Sequence, residues 1–412
     1  MQNTKLIDIK KAFSDKTLLV IAPQYPDPEH YFIGGIFIQR QIEPMKPFFY
    51  KIVVIAPVLR NIFSKEYKYC QGYSYDNVTV HYPRCWYIPR PVHKILSKYM
   101  DMMVDNRWNV VETLIERRKI HFDLIHAHFT WPSGYIASRL KEKYRVPFVL
   151  SLHEDPVWFR EDIKRNHPLW KNVWTQADAL IRINKEELNT LKQFNPSLFS
   201  IKYGFSREFA PQDREISRKK LNWPFNKKII FSLGFLTQRK GFNFLIDAMS
   251  LIKDQRNDVV CYIGGADPSG LGLIKYRLQK QISLLGLQND VVLMGPVPDT
   301  SIVTVMNACD LFVFPSLSEA FGIVNLEAIA CGKPVVSTNN GGSNEIVTSD
   351  TYGFLVEPAD PNALAKKILE ALDIKWNSSL IRQHAEKYSW DAIAEQTIGI
   401  YDKVILNRMR IM

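Results

Sequence analysis

The sequence predicts an α/β protein built from two doubly wound, Rossmann-like domains that face each other across a cleft. Three observations carry this. The chain has 412 residues, more than one hydrophobic core ordinarily serves. Short β-branched and apolar runs recur along it, with helix-length stretches between them. Many of those runs are continuously apolar, the mark of parallel strands covered on both faces.

In the first half we read strands at 17–23 (TLLVIAP), 51–57 (KIVVIAP), 122–128 (FDLIHAH), 147–153 (PFVLSLH) and 178–184 (DALIRIN). The second half offers 228–234 (KIIFSLG), 259–265 (VVCYIGG), 290–295 (DVVLMG), 311–316 (LFVFPS) and 334–339 (PVVSTN). Residues 206–227, polar and punctuated by proline, suit a linker. The expected domains are therefore 1–205 and 228–391, with a C-terminal helix at about 392–412 packing back on the first.

Bulk properties exclude several classes. A hydrophobic share of 46% with 12% aromatics argues against disorder. No apolar run approaches the roughly 18–20 residues of a membrane span. "TLLVIAPQYP" is too short for a signal-peptide core and ends like a strand entering a loop, so we expect a cytoplasmic protein. Cys70, Cys85, Cys261, Cys309 and Cys331 are scattered, odd in number and without a C-x-x-C pair. They form neither a disulfide framework nor a zinc site.

The net charge of +11 is uneven. Residues 1–205 hold 30 Lys+Arg against 20 Asp+Glu, whereas 206–412 hold 23 against 22. That asymmetry fits either a merely basic soluble domain or an anionic partner for the first half. Nucleic acid is the weaker partner, because no module with base-stacking aromatics is evident. Residues 90–115 can form an amphipathic helix with Val92, Ile95, Leu96, Tyr99, Met103 and Trp108 in one stripe, beside Lys94 and Lys98. Such a stripe either packs on its own sheet or docks on an anionic membrane surface.

In open α/β sheets, ligands bind beyond the carboxyl ends of the strands. The informative residues stand there: Gly34 and Gly35, His126 and His128, His153, Gly234 to Gly241, and Ser318 to Gly322. A G-x-x-x-x-G-K-[ST] loop is missing, and no G-x-G-x-x-G follows an early strand, which sets dinucleotide oxidoreduction aside. His126 and His128 lie two apart on a strand and point the same way. As a metal pair they lack a third ligand at convincing spacing. We place His128 toward a ligand and His126 in packing.

The segment SEAFGIVNLEAIACGKPVV, Ser318 to Val336, carries Glu319 and Glu327 eight positions apart. Glu319 stands just before a helix whose first turn holds Gly322, Ile323 and Val324. Free N–H groups and the helix dipole there suit a diphosphate. Glu327, about two turns on, returns to roughly the same face. One carboxylate can then meet a sugar ring while the other grips a ribose diol. The competing reading is a pair of solvated helix glutamates.

That segment and its continuation to Gly341, Gly342 and Glu345 resemble the donor-binding region of the retaining family 4 glycosyltransferases, which have the GT-B fold. The shared pattern is strand, Pro-Ser, Glu-x7-Glu enclosing Phe-Gly, a Gly-x-Pro-Val-Val strand and a Gly-Gly-x-x-Glu loop. Further matches run almost the length of the chain: FIGGIFIQRQ, FDLIHAHF, ADALIRIN, KYGFSREFAP, FSLGFLTQRKG, GFLVEPADP and YSWDAIAEQTIGIY.

The resemblance implies transfer of a hexose or N-acetylhexosamine, with retention, from a UDP- or GDP-sugar to a glycan or lipid-linked hydroxyl. It assigns Glu319 to the transferred sugar, Glu327 to the ribose, Lys240 to the leaving diphosphate and His153 to the sugar near the reacting carbon. Gly34, Gly35, Gly234, Arg239, Phe321, Gly322, Ile323 and Val324 complete the donor side. His128 and Asp155 are acceptor-side candidates. His153 also reads as an ordinary core histidine, and Lys240 as a surface lysine.

The chain departs from the family at two places. Phe235 stands where an arginine usually follows the first glycine, which removes one planar cationic fork. Glu154 replaces the glycine after the histidine, and the aspartate comes one place early as Asp155. There is no D-x-D, so we expect neither metal nor cofactor. Rival readings are a GT-B-shaped sugar-nucleotide epimerase and a non-catalytic partner subunit. Peripheral attachment to the inner face of the cell membrane is the expected refinement of a cytoplasmic location.

Overall fold

All ten apolar runs singled out above form strands. A computed structural model of the chain describes residues 10–61, 64–86, 100–165, 168–185, 187–268 and 271–411. The chain divides into two units. The first comprises Met1–Glu154, Trp158–Lys202 and Trp390–Met412; the second comprises Asp155–Val157 and Tyr203–Ser389.

The first unit holds β1 (Thr17–Ile21), β2 (Lys51–Ile55), β3 (Val58–Leu59), β4 (Tyr73–Tyr75), β5 (Val78–His81), β6 (Arg84–Cys85), β7 (Leu124–His128), β8 (Phe148–Leu152), β9 (Ala179–Arg182) and β10 (Leu198–Ser200). Eight of them join one sheet in the order β10-β9-β8-β7-β1-β2-β5-β4. Only the hairpin β4–β5 is antiparallel. The central strands β7 and β8 are buried at every position, as uninterrupted apolar runs require. Both end at the same level, with His128 paired in register to Ser151.

Helix Met100–Arg118 covers part of this sheet. Its Trp108, Val111 and Ile115 join Leu19, Val53 and Ile125 in one core. Trp108 therefore packs on the domain's own sheet and does not belong to an outward stripe. Val92, Lys94, Ile95, Leu96, Lys98 and Tyr99 lie outside the described residues. The last helix, Trp390–Ile411, returns to the first unit and buries Tyr401 completely.

The second unit holds β11 (Lys228–Leu233), β12 (Val259–Gly264), β13 (Val291–Gly295), β14 (Leu311–Phe314), β15 (Val335–Thr338) and β16 (Gly353–Val356). They form one sheet in the order β13-β12-β11-β14-β15-β16, with every pairing parallel. The order reverses direction at β11 and β14, the switch point where such a sheet receives ligands.

Residues 206–227 are not a free linker. Asp213 caps helix Arg214–Leu221, its side chain accepting from the Ile216 N–H at 2.7 Å. Arg218 on that helix is 2% exposed and meets Asp310 at 2.6 Å. Most of the segment's charged residues are exposed, but Arg218 is buried and paired, so the segment is anchored to the second unit. Among the described residues no helix is long and apolar enough to cross a membrane. All five cysteines are buried and free.

Candidate active site

In the second unit, three groups converge on one carboxylate oxygen. Lys240 Nζ lies 2.5 Å from Glu319 Oε1, Arg239 Nη1 lies 3.0 Å from it, and the Ser316 hydroxyl donates to it at 2.6 Å. Lys240 and Arg239 come from the short 3₁₀ turn Gln238–Lys240 after β11, whereas Ser316 and Glu319 follow β14. Neighbouring strand ends at the switch point thus supply both halves of the cluster. The Lys240 ammonium also sits 4.7 Å from the centre of the Phe314 ring.

Two glycine features make this approach possible. Gly241 has φ +66°, and a Cβ there would overlap the Pro315 carbonyl, so the lysine turn lies directly against the strand end. The Gly341-Gly342 loop does the same for the glutamate. Glu319 pairs with Gly341 in an isolated parallel bridge, and its N–H donates to the Asn340 carbonyl at 3.0 Å. A Cβ on Gly342 would come within 2.5 Å of the Phe321 backbone.

Burial alone would raise the Glu319 carboxyl, but Lys240 and Arg239 outweigh it and hold the group below the ordinary carboxylate range. Burial is also the dominant influence on Lys240, lowering it despite the favourable pull of Glu319. Asp155, counted with this unit, accepts from the Ser318 hydroxyl at 2.9 Å on both oxygens. It lies 3.8 Å from Arg239, next to the Glu319 cluster.

Helix Ile323–Ala330 begins at Gly322, whose φ of +83° and lack of a side-chain cap leave the first turn to a ligand or solvent. Ile323 and Val324 are partly exposed there. Glu327 is 4% exposed and Glu319 8%, so neither is a solvated helix glutamate. Phe321 is buried with its ring edge-on to Tyr203 at 5.6 Å. Gly234 lies under the lysine stem, its would-be Cβ 3.3 Å from Lys240 Cδ. Phe235, in the position of the missing arginine, is 52% exposed, but Arg239 already reaches Glu319 without any swing.

In the first unit, the three strand-end histidines form a column. His126 and His128 rings are 4.2 Å apart, and those of His128 and His153 are stacked at 5.1 Å. His128 Nδ1 and His153 Nε2 share a hydrogen bond at 2.9 Å. His126 is held on both sides, by Ser151 Oγ at 2.8 Å and by Tyr401 Oη at 2.6 Å. Burial lowers all three, His126 to about 3 and the other two well below the ordinary value. Neutral rings follow, so each shared hydrogen bond has one donor and one acceptor.

Glu154, beside His153, accepts the Thr130 N–H at 2.6 Å. Burial pushes its carboxyl up, against the pull of that N–H and of Arg182. Gly35 has φ +76° and caps helix Ile36–Ile42, while Gly34 and Gly35 both lie against Gln24. Among the described residues no cluster of three His, Cys, Asp or Glu side chains is placed to hold a metal ion.

Sequence reasoning did not single out Ser151, Ser316, Asn340 or Tyr401. For Ser316 and Asn340 the signal was present, since Ser316 is the serine of the Pro-Ser element and Asn340 lies in the continuation to Gly341. Tyr401 is 275 residues from His126, and nothing local announces that contact.

Comparison with known proteins gives the family and the fold. Residues 213–389 match the family described as Glycosyl transferases group 1, and residues 36–196 the Glycosyl transferase 4-like domain. A D-inositol 3-phosphate glycosyltransferase of Corynebacterium glutamicum is 30% identical over 315 residues, covering 71% of this chain and 74% of that one. The Corynebacterium jeikeium protein of the same description is 31% identical over 309 residues, covering 69% and 73%. In fold, sucrose-phosphate synthase from Thermosynechococcus elongatus superposes with a TM-score of 0.76 at 20% identity, over 95% of this chain and all of that one. Anabaena HepE, solved with UDP and glucose, gives 0.70 at 21% identity, over 94% and 100%.

Proposed function

Since the chain belongs to the family 4 glycosyltransferases and has their GT-B fold, we propose that it moves a hexose or N-acetylhexosamine from a UDP- or GDP-sugar to a hydroxyl of a glycan or lipid-linked acceptor, with retention of anomeric configuration. The observation that carries this is the convergence of Lys240, Arg239 and Ser316 on Glu319 at the switch point of the second sheet. An enclosed lysine and a partly exposed arginine beside a carboxylate, with a glycine-capped helix, suit a diphosphate and a sugar bearing developing positive charge.

In this reading the bond between the anomeric carbon and the β-phosphate oxygen breaks, and the acceptor oxygen bonds to that carbon on the same face. The acceptor proton passes to the departing phosphate, so no protein nucleophile is needed. Lys240 and Arg239 neutralise the charge that grows on the diphosphate. Arg239 thereby supplies the fork that Phe235 cannot. Glu319 faces the sugar and its developing positive charge, while Glu327 binds the ribose hydroxyls. The neutral His153 orients the sugar, with Gly34 and Gly35 admitting the diphosphate close to the backbone.

The basic first half supports an acceptor at or near an anionic membrane surface. A panel of UDP- and GDP-sugars tests the reading, scored by thermal shift and by released nucleotide with and without acceptors. One donor should stabilise the protein and release nucleoside diphosphate faster with an acceptor. Acceptor-independent epimerisation, or stabilisation by no donor, would replace transfer by the epimerase or partner-subunit reading.

A further inference from the structure

Helix Leu273–Leu284 in the second unit is apolar on both faces. Leu278 and Ile282 are buried in the core and Ile274 packs on it. Positions 273, 276, 280 and 284 recur at three- and four-residue steps and share the opposite, outward face. There Leu273 is 56%, Tyr276 64% and Leu284 76% exposed. Lys280 stands among them and Arg277 beside them, while Lys275 lies toward the other side; all three are exposed. A soluble helix ordinarily puts charge, not leucine, on that side.

The charge pattern is one-sided. Between Asp267 and Asp290 the chain has three cations and no carboxylate, within a half that holds 23 Lys+Arg against 22 Asp+Glu. Three carboxylates around the helix are already engaged, two of them by the helix itself. Asp267 accepts from the Ile274 N–H at 3.2 Å, Asp247 from Gln281 at 2.6 Å, and Asp290 meets Lys253 at 2.8 Å.

We propose that this face docks on an anionic lipid bilayer. Leu273, Tyr276 and Leu284 enter the boundary between headgroups and acyl chains, while Arg277 and Lys280 meet lipid phosphates. A second copy fits poorly, because a two-fold self-contact would set two cations against two with no carboxylate on either helix. A soluble anion would need the cations but not the leucines. This attachment is separate from any carried by residues 1–205 and needs no sugar donor, so its failure leaves the transferase reading untouched.

The test is sedimentation of the full chain with phosphatidylcholine vesicles, with and without phosphatidylglycerol. The chain should pellet only with phosphatidylglycerol. The triple variant Leu273→Ser/Tyr276→Ser/Leu284→Ser should pellet much less than the parent chain, and Lys280→Ala should partition ~fivefold less. If the triple variant melts early, Arg277→Glu/Lys280→Glu takes its place. Three outcomes overturn the proposal: no pelleting of the parent chain, unchanged pelleting of the variants, or a lipid-free dimer that the triple variant dissolves.

Discussion

Lys240 and Glu319, 79 residues apart in sequence, meet at 2.5 Å. Each is set down by the end of a different strand, β11 and β14, which are hydrogen-bonded neighbours in the sheet. The pair is largely buried, with side chains 13% and 11% exposed. An ion pair in such surroundings is costly to desolvate and is weak evidence for stability as such. Its retention is better understood through what the two groups do to a ligand.

Replacing Glu319 by Ala should therefore abolish transfer, lowering kcat by about 10²–10³-fold, the usual cost of one oriented charge-stabilising group. Glu327→Ala should mainly raise the donor KM. Steady-state kinetics of both variants separate the roles. Wild-type rates in both would mean the glutamates are structural.

Lys240 and Arg239 reach the same oxygen of Glu319 but differ in exposure: the side chains are 13% and 42% exposed. The more enclosed charge acts in the lower dielectric. Lys240→Met should cost about 10²–10³-fold in kcat. Arg239→Met should cost clearly less, yet more than a surface change, because Phe235 leaves no other fork on that loop. Equal activity of Arg239→Met and the parent chain would remove Arg239 from the donor site.

Gly342 lets the loop after β15 lie against Phe321, with no room for a methyl group. Gly342→Ala should displace the backbone that accepts the Glu319 N–H. We expect a loss of about 1–3 kcal/mol in stability, as for overpacking, together with a fall in activity. Gly286→Ala is the control for backbone strain, since a Cβ there meets nothing within 4 Å but its φ is +66°, whereas Gly342 has φ −77° and is crowded without strain. Denaturant melts of the two variants separate crowding from backbone strain.

How much of this was legible beforehand follows from where each signal sits in the chain. The buried strands read clearly because each is a continuous apolar run. β5 was missed because Val78–His81 alternates and lies next to the sheet's edge. β16 was missed because it starts at glycine, leaving an apolar run of only Phe354–Val356. Glu319 and Lys240 were legible because motif and strand end coincide. The partnership of Arg239 with Glu319 was not, since a side chain's reach depends on the turn Gln238–Lys240. The supposed linker misled because composition cannot distinguish a solvated arginine from Arg218, which is buried against Asp310.

Activity should survive chelation. Lys240 and Arg239, with the glycine-capped helix, supply the positive potential that a divalent cation would otherwise bring to a diphosphate. Transfer measured after EDTA and desalting should match the untreated rate. A loss restored by Mg²⁺ or Mn²⁺ would refute this account of the donor site.

The histidine column makes the first unit sensitive to acid. His126, His128 and His153 all have folded values depressed by burial, His126 to about 3, against about 6.5 in an unfolded chain. The stability they contribute is fully present above pH 6.5. It is lost as pH falls below that, because the unfolded chain then binds protons that the folded column refuses. A histidine that stays neutral when folded and is protonated when unfolded adds about 1.4 kcal/mol per pH unit to the slope below about pH 5.5, and His128 and His153 act in the same direction as His126. Urea unfolding followed from pH 7.5 to 4.5 measures this directly. His126→Gln removes one titrating ring and should flatten the acid limb by about 1.4 kcal/mol per pH unit, whatever it costs at neutral pH. An acid limb of unchanged slope in that variant would show that His126 is charged in the folded protein or neutral in both states.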